Sequence, residues 1–125
     1  MKTLLQGAYV IINDGKKAEY IKDAFVAVEN DTITYVGKEK PLDAFDCVKE
    51  LKDSIIMPAL YNTHTHSPMV LLRGVGSDLT LDKWLFGEVC PIEDKLTPED
   101  ISAASYLACM EMISSGTVSF SDMYF

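Results

Sequence analysis

The two histidines of this 125-residue chain, His64 and His66, stand two apart in Leu60-Tyr61-Asn62-Thr63-His64-Thr65-His66. Extended backbone sends successive side chains to opposite faces, so residues i and i+2 share one face and their imidazoles can converge on one ion. Zinc, bound about 2.0–2.1 Å from imidazole nitrogen, suits that arrangement. Two histidines near a strand end that only hydrogen-bond to their neighbours have the same spacing. A catalytic zinc takes three protein ligands and an open position, and the chain has no further histidine. Cys90 or Asp122 could supply another ligand, although neither has a spacing that argues for it. Imidazole accepts zinc, iron and nickel alike, so the pair does not name its metal.

The elements around the pair divide the chain into 1–57 and 58–125. The first part reads as short strands and turns: Leu4-Leu5 and Ala8–Ile12, ended by Asn13-Asp14-Gly15, then Ala24–Glu29 and Thr32–Gly37 around an Asn30-Asp31 turn. A last pair, Cys47–Leu51 and Ser54–Met57, is expected to fold back at Lys52-Asp53. This half is expected to be a small antiparallel β unit. Pro58, which cannot donate to a sheet ladder, marks a boundary, and residues 59–66 read as one extended strand.

Residues 67–96 read as an irregular loop studded with Gly and Pro, with a helical turn or two only at Leu81–Phe86. A helix is expected from Thr97 onward. Thr97 suits the N-cap, Pro98 the first helical position, and Glu99 and Asp100 the positive end of the dipole. Its body, Ile101 to Ser115, is so apolar that cover on more than one side is expected, and Gly116 is the stop. Residues 117–125 alternate like a strand. Strand, loop, helix and strand from residue 59 form a βαβ unit.

Composition bounds the rest. Hydrophobic residues make up 48% and the net charge is −8, so the chain has the material for a core and lacks the basic surface that nucleic-acid binding requires. No apolar run approaches the ~18 residues of a membrane span, and the opening apolar stretch is too short for a signal peptide. Cys47, Cys90 and Cys109, an odd number without paired spacing, read as reduced thiols of a cytoplasmic protein, each a small buried hydrophobe.

The stretch Ile56-Met57-Pro58-Ala59-Leu60-Tyr61-Asn62-Thr63-His64-Thr65-His66 resembles the barrel entry of the amidohydrolase superfamily, where a β-sandwich segment leads into a first strand ending in His-x-His. The hairpin ending at Val36-Gly37 is similar to that family's sandwich. Met69–Gly74, Trp84-Leu85, Pro91–Thr97 and Asp122-Met123-Tyr124-Phe125 resemble the S-adenosylhomocysteine/5'-methylthioadenosine deaminase branch. Guanine and cytosine deaminases and triazine chlorohydrolases belong to the same group. The family usually has Pro-Gly where this chain has Pro58-Ala59, so the backbone here must avoid a conformation only Gly tolerates. Tyr61 stands where Val or Ile is usual.

The resemblance implies an α/β fold: the N-terminal part of a β-sandwich over 1–57, then the first β-α-β unit of a metal-dependent (β/α)8 barrel over 58–125. A complete barrel needs at least ~200 residues, and 67 follow Pro58, so by the family pattern the barrel is incomplete and the chain a fragment. His64 and His66 would bind one divalent metal, zinc foremost and iron or nickel as alternatives, although a pair alone is not expected to hold it firmly. Trp84 and Glu93 would contact the nucleoside substrate, the Glu carboxylate accepting from two ribose hydroxyls.

Each of these residues also has a bland reading. Trp84 could be a core or lid aromatic, Glu93 a solvated charge or a partner of Lys95, Arg73 a loop anchor, and Asp122 a structural strand-end residue. The implied reaction is hydrolytic deamination of S-adenosylhomocysteine or 5'-methylthioadenosine at C6 with release of ammonia. Relatives acting on guanine, cytosine or a chlorinated triazine are the alternative. Residues 1–125 by themselves are expected to be inactive, with no membrane or nucleic-acid partner, and to self-associate or await the rest of the barrel through open strand edges.

Overall fold

The computed structural model describes residues 1–13 and 15–124. Asp14 of the first expected turn and Phe125 of the last expected strand lie outside them. The chain forms two compact units, Met1–Pro58 and Ala59–Phe125.

The first unit is a four-stranded sheet of order β3-β2-β1-β4, built from β1 (Lys2–Asn13), β2 (Ala18–Glu29), β3 (Thr32–Gly37) and β4 (Cys47–Ile56). β1 pairs antiparallel with β2, and β2 with β3, placing Leu5 opposite Val26 and Val26 opposite Val36. β-branched residues fill the face so formed. Val10, Ala24 and Val26 are buried, with Leu5, Ile21, Val28, Val36 and Ile56 packed around them. Asn30 turns the β2–β3 hairpin at φ 57°, a left-handed conformation that Asn tolerates.

The hairpin expected at Lys52-Asp53 does not form. β4 runs through that dipeptide and pairs parallel with β1, so the unit is not wholly antiparallel. Neither Lys52 nor Asp53 has the positive φ that a tight two-residue hairpin needs. The ladder instead shifts register there, from Gly7 opposite Leu51 to Tyr9 opposite Ile55. The three cysteines are free but partly exposed rather than buried.

In the second unit β5 (Leu60–Thr65) and β6 (Thr117–Asp122) pair in parallel. A 3-10 segment, Ser67–Leu72, follows β5 directly; α1 (Leu81–Trp84), a π turn (Leu85–Val89) and α2 (Cys90–Glu93) come next, and α3 (Pro98–Ser114) leads into β6. Residues 67–96 are therefore helical over two stretches. The irregular part contracts to the segment around Gly74, Gly76 and Asp78, all at positive φ. Pro91 has no N–H to return to the carbonyl of Gly87, and just before it the Cys90 N–H reaches five residues back to Leu85.

α3 starts on a complete capping box: Thr97 Oγ1 accepts from Asp100 N at 3.2 Å, and Asp100 Oδ2 accepts from Thr97 N at 2.9 Å. It ends at Gly116 in the left-handed conformation, whose carbonyl accepts from Leu60 N at 2.9 Å. Ala104 and Ala108, four apart on one face, are its buried residues, and small side chains there let the 3-10 segment approach closely. The cover expected on more than one side is absent among the described residues, since Tyr106, Leu107, Met110 and Ile113 are exposed. Arg73 closes the contact with a bidentate pair to Glu111, at 3.1 and 2.6 Å. Ala59 is not among the residues with positive φ, so Ala suffices where the family usually has Gly.

Candidate functional site

His64 and His66 lie at the C-terminal end of β5 and its exit, and their Nε2 atoms come within 3.2 Å of each other. The rings are exposed, with centroids 5.1 Å apart and planes at 69°. Tetrahedral bonds of 2.0–2.1 Å would put two ligand nitrogens about 3.3–3.4 Å apart, so the pair fits two corners of a zinc site. Without an ion the same geometry lets one Nε2–H donate to the other ring. Among the described residues no group of three His, Cys, Asp or Glu could hold a metal. Cys90 and Asp122 therefore do not complete the site.

The backbone on both sides of His66 is tied to β6. Met123 N donates to the Thr65 carbonyl at 2.9 Å, and Asp122 Oδ1 accepts from Ser67 N at 3.2 Å. Ser67 Oγ donates to Asp122 Oδ2 in a short hydrogen bond. Burial would raise the Asp122 carboxyl, but the Ser67 hydroxyl and the N–H groups of Ser67, Tyr124 and Met123 outweigh it and hold the group below its ordinary value.

Glu93, at the end of α2, accepts from the Tyr124 hydroxyl at 2.9 Å, and none of the ion pairs among the described residues includes it. Lys95 is thus not its partner. Burial, then the hydrogen bond to Glu93 and its negative charge, push the Tyr124 phenol up to about 12. Trp84 is partly buried and donates from Nε1 to the Val75 carbonyl at 3.0 Å. Neither Trp84 nor Glu93 hydrogen-bonds to the histidines. The end of β6 and the residues after it link the histidine segment to Glu93, with Asp122 tied to the residue after His66 and Tyr124 tied to Glu93. Sequence reasoning left Ser67 and Tyr124 without roles. The clue available was position, since residues at the C-terminal ends of barrel strands gather around sites.

The chain is similar to known proteins over nearly its whole length. The chain is 47% identical over 122 residues to a 5'-deoxyadenosine deaminase of Methanosarcina barkeri, covering 98% of this chain and 28% of that protein. It is 44% identical over 121 residues to a 5-methylthioadenosine/S-adenosylhomocysteine deaminase of Acetivibrio thermocellus, covering 97% and 25%. The chain thus spans about a quarter of these relatives' length. Among solved structures, a zinc-bound adenosine deaminase from Xanthomonas campestris matches with a TM-score of 0.79 and 34% identity, over 98% of this chain and 29% of that one. A guanine deaminase from C. acetobutylicum, at 22% identity and a TM-score of 0.77, shows the shared fold. The sequence profile of the amidohydrolase family matches residues 55–125, more than half of the chain, and the chain belongs to that family.

Proposed function

We propose that this chain is the N-terminal part of a metal-dependent hydrolytic deaminase of adenosine-type nucleosides. In this reading residues 1–57 are part of a β-sandwich and 58–125 the first β-α-β unit of a (β/α)8 barrel. His64 and His66 supply two metal ligands, and Trp84 and Glu93 contact the nucleoside. The observation that carries the reading is the 3.2 Å approach of the two Nε2 atoms at the end of β5. The names of the relatives support the substrate class.

A divalent ion, zinc foremost, supplies a nucleophile at neutral pH when bound by acidifying water. The chain's own residues orient the substrate. One Glu93 oxygen accepts from Tyr124, and the other is available to a ribose diol. Trp84 is held through its indole N–H by the Val75 carbonyl. Two histidines fall short of three ligands, so residues 1–125 by themselves are expected to be inactive and to associate with further chain. The free thiols suit a reducing, cytoplasmic setting.

The test is a hybrid in which this chain replaces the matching segment of the M. barkeri deaminase, assayed by ammonia release from 5'-deoxyadenosine. His64→Ala and His66→Ala are expected to abolish release. Glu93→Ala is expected to weaken turnover of nucleosides far more than of free bases. A hybrid that keeps its activity in both histidine variants would overturn the metal assignment, and an equal loss for nucleosides and bases would overturn that of Glu93.

A further inference from the structure

We infer that Asp122 and Ser67 form a clamp that sets the position of His66 for metal binding; the inference rests on the metal-pair reading above. A metal-binding histidine is usually oriented by a partner on its second ring nitrogen. Here the only hydrogen bond of either ring among the described residues is the one between the two Nε2 atoms. The orientation of His66 must therefore come from its backbone.

That backbone is held on both sides. Thr65 lies opposite Asp122 in the parallel ladder, and its carbonyl accepts from Met123 N at 2.9 Å. Ser67 is the one buried polar residue among those described, 4% exposed, and it gives both its N–H and its hydroxyl to Asp122. Asp122 Oδ1 also accepts from Tyr124 N at 3.1 Å, so the carboxylate is fixed to its own strand while it grips the next. Both oxygens are occupied in this way, which makes Asp122 a positioning residue rather than a third ligand. With the peptide groups on either side of His66 pinned to β6, only its two side-chain torsions remain to be chosen. The pair then meets an ion without having to order the strand end first.

The test uses the 125-residue chain and Cu2+ as the probe, read by calorimetry and by the nitrogen hyperfine pattern of the copper spectrum. The wild-type chain is expected to show two imidazole nitrogens. Ser67→Ala and Asp122→Asn are expected to lose about tenfold in affinity and to shift toward a one-imidazole pattern. Ser67→Thr, which keeps the hydroxyl, is expected to restore both. Wild-type affinity and a two-nitrogen spectrum in Ser67→Ala and Asp122→Asn would overturn the clamp. So would a Ser67→Thr chain as impaired as Ser67→Ala, a comparison that holds even if Asp122→Asn fails to fold. A His64→Ala/His66→Ala chain that binds copper as the wild type does would show instead that the metal-pair reading has failed, and the clamp with it.

Discussion

Glu93 and Tyr124 illustrate what a single residue's neighbours decide. A carboxylate at the end of a short helix has several possible fates, and the hydrogen bond from Tyr124 selects one of them. Because the phenol is held up to about 12, its proton is bound more tightly in the folded chain than in the unfolded one. That stabilisation is complete below the unfolded phenol pKa of about 10, and is lost as the pH rises from there through the folded value. We predict that Tyr124, identified as the phenol signal missing from Tyr124→Phe, titrates near 12 by ultraviolet absorbance, and that the variant lacks this alkaline loss of stability. The histidine pair was legible in the sequence because its logic is local, two residues along one strand. The contacts of Ser67 with Asp122 and of Tyr124 with Glu93 span 55 and 31 residues, distances over which no spacing rule operates.

At the scale of elements, legibility followed the strength of local chemistry. The start of α3 was readable because Thr97, Pro98 and Asp100 each satisfy a need of a helix N-terminus, and the capping box forms. Thr97→Ala should cost about 1 kcal/mol in urea unfolding. Backbone and side-chain hydrogen bonds from Thr97 hold the Asp100 carboxyl below its ordinary value. The support the cap gives is therefore present above the unfolded carboxyl pKa and lost as the pH falls through the folded one.

β4 was misread because the pairing partner, not the dipeptide Lys52-Asp53, decides whether a strand turns or bulges. Within 67–96 the helical turn expected at Leu81–Phe86 forms, but its continuation to Glu93 and the Ser67–Leu72 segment were hidden because Gly and Pro mark turns and helix ends alike. Gly76 has a specific task there. It adopts φ +65°, and a Cβ on it would lie 2.8 Å from Trp84 Cδ1. We predict that Gly76→Ala destabilises the chain by more than about 1 kcal/mol and shifts the fluorescence of Trp84, the only tryptophan.

For the whole molecule, the apolar content that promised a core is only partly used. Tyr20 on the first unit's sheet and Tyr106 and Ile113 on α3 are each more than 70% exposed. Each sheet also ends in strands with an unpaired edge among the described residues, β3 and β4 in one and β5 and β6 in the other. Composition could not foresee this, because it counts apolar residues without saying how many find a partner within 125 residues. We predict that the chain scatters light as an assembly larger than a monomer at moderate concentration. A clean monomer would count against exposed edges and faces as association surfaces. No helix is long and apolar enough to cross a membrane among the described residues.

The central claim is that His64 and His66 act together as metal ligands, and zinc content per chain of the hybrid with the rest of the M. barkeri deaminase tests it most directly. The account predicts near-stoichiometric zinc in the hybrid, which His64→Ala or His66→Ala removes. A hybrid that holds as much zinc in both histidine variants as without the substitutions would contradict it.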